Sequence, residues 1–379
     1  MLKKAAAVLL ICAGTALSLG CLIATSSHVL YASLPQSAQI VAYREDPNSG
    51  ILTQLAISPI TAGTGVQFLL VHPSGKYLYA ANAGENDISL FDIVPSGPLQ
   101  EQTPRTVAGT SPTLLSMDSG GKFLYVANSG SQNISVFSIS STNGSLTQLP
   151  GSPFQVGISP LNMKLAPSGN FLYVTGASPQ AGTPGYIEVL SVNTSATPPL
   201  AFVAITQPGA SPYGLAISPN GSYLYTANFG DNTISEFTIN TTGSAQGTVP
   251  PGGLTPIAGS PVGETYSGPI SLIVHPTGKY LYVANQQSSG NVAGYAIASD
   301  GSLSLLTSSP YPTSAQPNFI ASDTAGDFLF VGNLSKPAIE SFCLASQSLS
   351  CNQAPGLGSL TEVTKYPLIG TPTSIVVSP

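Results

Sequence analysis

Side chains that could act as acids, bases or metal ligands are scarce in this sequence. Its 379 residues include 10 Lys plus Arg, 16 Asp plus Glu and three histidines, so only 7% of the chain is charged. An ordinary soluble domain has about 25%. The histidines, His28, His72 and His275, lack the spacing that metal ligands share. The sequence therefore predicts no metal site and no cofactor, and leaves few groups for acid–base chemistry.

Lys164 is the most unusual ionisable residue, because it lies within the strand-like segment 161–165, whose counterparts in the other copies of the repeat have no charged residue at this position. A lysine ammonium in such a segment must be paired or face water, since burying it unpaired costs free energy. Two roles stay open for Lys164: a cation that faces the substrate, or a salt-bridge partner. Arg105 and Glu264, in connections between repeats, are weaker catalytic candidates. Tyr213, which follows a proline, is a weaker ligand-binding candidate.

A set of asparagines occupies one place in a recurring motif, directly after a strand-like aromatic and β-branched segment. The members of this set are Asn82, Asn128, Asn228, Asn285 and Asn333. If the motifs are arranged in a ring, the five amides could surround its mouth and bind a ligand. The alternative is structural, because an asparagine at a strand end satisfies loose backbone groups in an Asx-turn and would recur for that reason.

The N-terminus has the pattern of a targeting segment. Lys3 and Lys4 precede the apolar run 5–19, and Ser18-Leu19-Gly20, with two small residues, stands directly before Cys21. This pattern predicts a secretory signal peptide over residues 1–20, followed by a short linker over 21–28. A permanent membrane anchor is the alternative, since an apolar run of about 20 residues could span a bilayer. Leu-Ser-Leu-Gly before Cys21 is similar to a bacterial lipobox, so lipidation of Cys21 and ordinary cleavage both stay open.

Two cysteines near the C-terminus, Cys343 and Cys351, are separated by seven residues. In an exported protein they are expected to form a short-loop disulfide, which an oxidising compartment would preserve. Free cytosolic thiols are the alternative. Together with the N-terminal pattern, the expected disulfide indicates a protein exported to the bacterial periplasm or cell envelope, with or without a lipid anchor.

The overall composition excludes several classes of protein. Lys, Arg and Glu are too few for a helical bundle or a coiled coil. A pI near 4.9 and only two arginines do not supply the basic footprint that a nucleic-acid partner requires. With 39 Gly, 33 Pro and 42% apolar residues, the chain has the composition of a turn-rich β protein with a sizeable core.

One motif recurs along nearly the whole chain: Pro-x-Gly, an aromatic residue, Leu-Tyr-Val-Ala-Asn, a polar loop and Ile-Ser-x-Phe-x-Ile. The leucine of Leu-Tyr marks seven copies, at Leu30, Leu78, Leu124, Leu172, Leu224, Leu281 and Leu329. Units of this length match a propeller blade of four strands, which we call A to D. Strand A is apolar, and Pro-x-Gly forms the turn to strand B, such as 77–81. Strands C and D are predicted at positions such as 134–139 and 146–149.

The two ends of the chain indicate how the ring closes. The first copy begins at strand B, over residues 29–33, whereas the end, 371–379, aligns with the strand A segment 211–219. The C-terminal strand should therefore complete the first blade and leave no free sheet edge at the seam. The predicted fold is all-β: a single seven-bladed β-propeller of four-stranded antiparallel blades over residues 29–379.

The repeat His-Pro-x-Gly-Lys-Tyr-Leu-Tyr-Val-Ala-Asn, with the following Ile-Ser-x-Phe and Gly-Ser-Pro, resembles the β-propeller lactonase family. That family includes 6-phosphogluconolactonase-like and muconate-cyclising members and overlaps the YVTN repeat proteins. The resemblance covers residues 29–379 and implies a propeller that hydrolyses a lactone. Muconate-cyclising relatives are associated with His, Glu and Arg in the channel. This sequence has no such set at mouth positions, which argues against a phosphorylated or polyanionic substrate.

Two functions of different classes follow. The first is an exported lactonase-like hydrolase that acts on an uncharged or weakly acidic lactone. The second is a non-catalytic envelope propeller that binds a protein, peptide or glycan over its mouth. Both imply a monomer without a nucleic-acid partner, attached to a membrane only if Cys21 carries a lipid.

Overall fold

The computed structural model describes residues 28–94, 99–177, 185–242, 249–263, 266–286, 289–345 and 356–379. In these ranges the chain forms 32 β-strands, and it contains no helix that is long and apolar enough to cross a membrane. The predicted signal peptide, Cys21, Glu264 and Cys351 lie outside the described residues.

The strands form seven antiparallel sheets, which confirms the predicted seven-bladed propeller. Blade 1 contains β1 (Val29–Leu34), β2 (Gln39–Glu45), β3 (Leu52–Gln54), β4 (Ile60–Thr61) and the C-terminal β32 (Ile375–Val377). Blade 2 contains β5 (Val66–Val71), β6 (Tyr77–Asn82), β7 (Asp87–Asp92) and β8 (Gln100–Val107). Blade 3 contains β9 (Pro112–Met117), β10 (Phe123–Asn128), β11 (Asn133–Ile139), β12 (Leu146–Gln148) and β13 (Phe154–Gln155). Blade 4 contains β14 (Ser159–Leu165), β15 (Phe171–Ala177), β16 (Tyr186–Val192) and β17 (Leu200–Thr206).

The last three blades follow the same order. Blade 5 contains β18 (Pro212–Ile217), β19 (Tyr223–Asn228), β20 (Thr233–Ile239), β21 (Leu254–Pro256) and β22 (Val262–Gly263). Blade 6 contains β23 (Pro269–Val274), β24 (Tyr280–Asn285), β25 (Asn291–Ile297), β26 (Leu303–Leu305) and β27 (Tyr311–Pro312). Blade 7 contains β28 (Pro317–Ser322), β29 (Phe328–Asn333), β30 (Ala338–Leu344) and β31 (Leu360–Pro367).

The C-terminal strand closes the ring as the sequence predicts. Strand β32 pairs with β1 through Leu30 opposite Val377, Tyr31 opposite Val376 and Ala32 opposite Ile375. Just beyond the paired segment, the backbone amide of Val29 donates to Ser378 Oγ at 2.8 Å. The first blade is therefore built from both ends of the chain, and folding must bring those ends together.

Buried tyrosines connect neighbouring blades. Tyr225 in strand B of blade 5 has no exposed surface, and its hydroxyl donates to the carbonyl of Gly301 in blade 6 at 2.8 Å. Equivalent hydrogen bonds run from blades 2, 4 and 6 into the next blade, from Tyr79 to Gly144, from Tyr173 to Gly252 and from Tyr282 to Gly358. Strand B can be apolar along its whole length because both faces of each blade are covered by neighbours.

In four of the seven blades strand D differs from the single short strand that was predicted, because it is split into two segments. In blade 3 the segment 146–149 gives β12, the chain then leaves the sheet at Gly151-Ser152-Pro153, and β13 returns to pair with β11. Proline has no amide hydrogen for the ladder, and the Ser152 hydroxyl accepts the hydrogen bond of the Val136 amide at 2.8 Å instead. Serines in three other blades replace the missing ladder contact in the same way, namely Ser58, Ser260 and Ser309.

Candidate functional site

Each strand A except β32 contains a β-bulge near its start. In blade 2, for example, Val66 lies opposite Asn82 and Phe68 opposite Ala81, so Gln67 has no partner on β6. The six unpaired residues are Gln67, Thr113, Leu161, Tyr213, Ile270 and Asn318. A bulge redirects the side chain of its extra residue, and bulges are frequent next to functional sites. We call these six residues the bulge ring.

All six members of the bulge ring line one cavity of about 570 Å³ at the end of the central channel where the A strands begin. Thr373, which precedes β32, supplies the contribution of blade 1. We call this cavity the mouth pocket. Its volume lies within the range of about 300–1,000 Å³ that is typical of small-molecule sites. A ring of local backbone irregularities, one in each of six blades, therefore builds a candidate ligand site at the mouth of the propeller.

The mouth pocket presents polar groups that the protein does not satisfy itself. Among the described residues, Thr113 Oγ1 and Asn318 Oδ1 are buried without a hydrogen-bond partner. The Asn318 amide nitrogen donates to the carbonyl of Pro372 at 2.7 Å, which fixes the orientation of Oδ1. The amides of Gln67 and Gln286 also line the pocket. A buried polar group without a partner costs about 1–3 kcal/mol, so a hydroxyl-rich ligand that satisfied these groups would gain affinity.

Aromatic side chains form the apolar part of the same pocket. Phe68 and Phe319 meet edge to face with ring centroids 6.1 Å apart. On another side of the mouth, Tyr213 packs against Phe229 with centroids 5.6 Å apart and is 37% exposed. A small ring-shaped ligand with a polar edge and an apolar face would match this combination. The described lining contains no Asp, Glu, His, Lys or Arg side chain, and this favours a neutral ligand.

Lys164 lies two residues beyond Asn162 on the same side of strand β14, about 7 Å further along the channel from the pocket lining. Its equivalents in the other blades are Leu70, Ser116, Ala216, Ile273, Ala321 and Val376. In the described part of the chain Lys164 has no ion-pair partner. Its side chain is exposed to the channel, and the surrounding protein partly desolvates its amine. This desolvation lowers the pKa of its amine.

Comparison with known proteins places the chain in a family. The family model described as a seven-bladed β-propeller lactonase matches residues 24–159, 152–251 and 257–355. The chain belongs to this lactonase family. A 6-phosphogluconolactonase from Erwinia tasmaniensis is 26% identical over 329 residues, which cover 84% of this chain and 92% of that protein.

Solved structures share the propeller fold of this lactonase family member. A putative 6-phosphogluconolactonase from Bacteroides fragilis is 20% identical, with a TM-score of 0.73 over 94% of this chain and 99% of its own. A periplasmic gluconolactonase from Pseudomonas aeruginosa is 19% identical, with a TM-score of 0.71 over 93% of this chain and 99% of its own. At these identities the likeness establishes the fold, and the activity must be argued from the site.

The five asparagines proposed as ligand contacts of this lactonase-family chain lie at the ends of the B strands and are completely buried: Asn82, Asn128, Asn228, Asn285 and Asn333. The Asn82 amide donates to Asp87 Oδ1 at 2.7 Å and to Ser89 Oγ at 2.8 Å, both within its own blade. Three of the other four likewise donate to strand C of their own blades. None lines the mouth pocket. This geometry matches the structural alternative, although the contacts are with strand C side chains and not within Asx-turns.

The other predicted site residues are dispersed. Arg105 lies in the outer strand β8 and is engaged by Glu101, with Nε 2.6 Å from Oε1, and by Glu85. The hydrogen bond to Glu101 contributes most to raising the pKa of the Arg105 guanidinium. Cys343 lies buried in β30; because Cys351 is outside the described residues, their disulfide stays a prediction. Among the predicted residues that the structure describes, only Tyr213 lines the mouth pocket and only Lys164 lies near it.

The pocket residues that the sequence analysis missed had a recognisable signal. The residue directly before the bulge-ring member is proline in five of the six blades, as in Ser111-Pro112-Thr113 and Gln316-Pro317-Asn318. The residue before that position has a positive φ in four blades, at Gly65, Ser111, Ser211 and Gly268. The repeated x-Pro-x step therefore marks the place where the chain turns its next side chain into the mouth.

Proposed function

We propose that this lactonase family member hydrolyses an uncharged lactone bound in the mouth pocket. The observation that carries the proposal is the bulge ring, which directs neutral amide, hydroxyl and aromatic side chains into one cavity. A phosphorylated lactone would need a cationic clamp, and the described lining supplies none. The names of the relatives, a 6-phosphogluconolactonase and a periplasmic gluconolactonase, support lactone chemistry without fixing the substrate.

Lys164 is the group best suited to act as the general base. Its lowered pKa increases the fraction of neutral amine near neutral pH, and a neutral amine can accept a proton from water. The water oxygen then attacks the lactone carbonyl carbon, and its proton passes to Lys164 Nζ. As the ring C–O bond breaks, the leaving oxygen takes a proton back, which yields the hydroxy acid. The amides of Gln67 and Gln286 are suitable donors for the developing oxyanion.

The test is hydrolysis of a panel of lactones by the purified protein. We expect turnover of a neutral aldonolactone such as D-glucono-1,5-lactone to exceed both the spontaneous rate and turnover of its 6-phosphate. Lys164→Met should lower kcat at least about 100-fold, the usual contribution of a general base. Lys76→Met is the matched control, because Lys76 is an exposed turn lysine, and it should retain wild-type kcat. Equal loss in both variants, or no turnover of any lactone, would refute the proposal.

A second function is favoured by one observation. The described pocket lining contains neither a carboxylate nor an imidazole, which are the commonest acid–base groups. The alternative is therefore a non-catalytic envelope propeller that binds a protein, peptide or glycan over its mouth. Calorimetry separates the two functions, because saturable binding of a neutral oligosaccharide without turnover of any lactone would support the binding protein.

We also propose that the protein is exported and acts as a monomer. The basic and apolar N-terminus supports export, as does the predicted pairing of Cys343 with Cys351. Expression of the whole chain, cell fractionation and intact-mass measurement test this proposal. A periplasmic monomer that has lost residues 1–20 and contains one disulfide would agree with it, and a lipid mass on Cys21 would identify a lipoprotein. A cytoplasmic chain of full mass with reduced thiols would contradict it.

A further inference from the structure

Three ionisable side chains from distant parts of the sequence converge at the seam of the ring. One ligand atom each from His28, Glu45 and Asp323 lies within 4.8 Å of the others. His28 precedes β1, Glu45 ends β2 and Asp323 follows β28, so the cluster joins blade 1 to blade 7. The spacing of the histidines predicted no metal site. It could not have revealed this one, because only closure of the ring brings the three residues together.

Glu45 is the residue that the repeat does not explain. Its backbone amide donates to the carbonyl of His28, and the same hydrogen bond recurs at one position in every other blade. The residues at that position are Ile93, Ile139, Val192, Ile239, Ile297 and Leu344. Six blades therefore place an aliphatic side chain where blade 1 places a carboxylate. An aliphatic residue suffices for packing there, so the carboxylate needs another explanation.

The Glu45 carboxylate is deeply buried and accepts no hydrogen bond from the part of the chain that the structure describes. Glu45 is 1% exposed, and among the described residues no group donates a hydrogen bond to either of its oxygens or forms one with His28 Nδ1. Glu45 Oε2 lies 3.7 Å from His28 Nδ1, which is too long for a hydrogen bond. Two ligand atoms that each lie about 2.0–2.2 Å from one tetrahedral ion are themselves about 3.4 Å apart. The observed separation suits a shared metal better than a direct contact.

We propose that His28, Glu45 and Asp323 bind one divalent transition-metal ion, with zinc as the best match, across the seam between blades 1 and 7. One imidazole nitrogen and two carboxylate oxygens form a donor set that zinc accepts, and water would complete the coordination. The Phe328 amide donates to Asp323 Oδ1 at 3.0 Å and holds this carboxylate in place, as outer-shell hydrogen bonds do at metal sites.

The electrostatic surroundings also favour a cation. Asp323, Asp327 and Asp46 all lie close enough to the buried Glu45 carboxylate for their negative charges to act on it. Several carboxylates thus lie near a single histidine, and a divalent ion would offset their mutual repulsion. Because its ligands come from the N-terminal segment, blade 1 and blade 7, the ion would tie together the two ends of the ring. Its binding should stabilise the folded propeller.

The experiment uses the untagged whole chain, stripped with EDTA and then titrated with ZnCl₂ by calorimetry, with metal content checked by mass spectrometry. We expect one zinc per chain, and at about 100 times Kd a rise of roughly 3 °C in the unfolding midpoint. Glu45→Ile introduces the residue of four other blades, so it should fold while losing zinc affinity at least about 100-fold. Glu45→Gln provides a second test of the lost charge. His72→Asn, which alters a histidine far from the cluster in sequence, should bind zinc as the wild type does.

The outcomes decide the proposal without reference to lactone turnover. Stoichiometric zinc that is lost in Glu45→Ile and Glu45→Gln but kept in His72→Asn supports it. The proposal is overturned if the wild type binds no zinc, or if Glu45→Ile binds it equally well. Binding of Mg²⁺ with no binding of Zn²⁺ would also overturn the assignment to a transition metal. Failure here would leave the function proposed for the mouth pocket untouched.

Discussion

The hydrogen bond from Tyr225 to Gly301 provides a direct measure of what holds adjacent blades together. Tyr225→Phe removes a hydroxyl that has no exposed surface and that donates at 2.8 Å to a carbonyl of the next blade. The aromatic ring of the side chain is kept, so apolar packing around residue 225 is almost unchanged. Because the Gly301 carbonyl loses this donor, we expect the free energy of unfolding to fall by about 1–2 kcal/mol. For a chain of this length the midpoint should fall by about 1–3 °C.

Tyr125→Phe is the matched control for this prediction. Tyr125 occupies the same position in blade 3 and is 1% exposed, but its hydroxyl has no hydrogen bond within the described ranges. Its replacement should therefore change the free energy of unfolding by less than about 0.5 kcal/mol. Urea unfolding followed by circular dichroism measures both variants. Equal losses of stability in the two variants, or no loss in Tyr225→Phe, would refute the role assigned to the interblade hydrogen bond.

Three further predictions test backbone geometry and ionisation. Gly301 and Gly259 have nearly the same φ, +88° and +90°, but a Cβ at Gly301 would lie 2.4 Å from a neighbouring tyrosine ring, whereas a Cβ at Gly259 would meet open space. Gly301→Ala should therefore destabilise the fold by about 2–3 kcal/mol more than Gly259→Ala. Thermal unfolding of the two variants measures this difference. Burial raises the pKa of Glu188, so folded protein keeps that proton to higher pH than unfolded chain. The stability that this proton uptake contributes is fully present below the usual carboxyl pKa and is lost as pH rises through the raised pKa of Glu188. Glu188→Gln removes the titrating group, so the free energy of unfolding should vary less with pH over that range. If Lys164 is the base, kcat should rise with pH through its lowered pKa, and Lys164→Met should lack that limb of the pH–rate profile.

The propeller could be predicted because its repeat is encoded locally. The alternation of strand C, as in 134–139, and the apolar strand B, as in 77–81, recur in each blade, and the structure extends these segments by only one residue. The unmatched C-terminal strand A identified the seam. Strand D was the weak point, because the sequence does not show that the Ser152 hydroxyl can replace a ladder partner.

The candidate site was harder to predict, because its geometry depends on bulges and ring closure. The motif draws attention to residues such as Asn82, yet its side chain points into the blade and is used there. The mouth is lined instead by residues such as Gln67 and Asn318, whose types vary between blades because each faces a cavity. Glu45 and Asp323 illustrate a second limit. Their contact depends on how blade 7 meets blade 1, which no local spacing reveals.

The most direct test of the mouth pocket is a crystal structure of the protein soaked with D-glucono-δ-lactam, an unreactive analogue of a neutral lactone. Our account predicts density for the lactam inside the bulge ring, with a donor group of the ligand within about 3 Å of Asn318 Oδ1 and its ring against Phe68 or Tyr213. A lactam bound only outside the mouth, or an unchanged pocket at saturating concentration, would contradict the account.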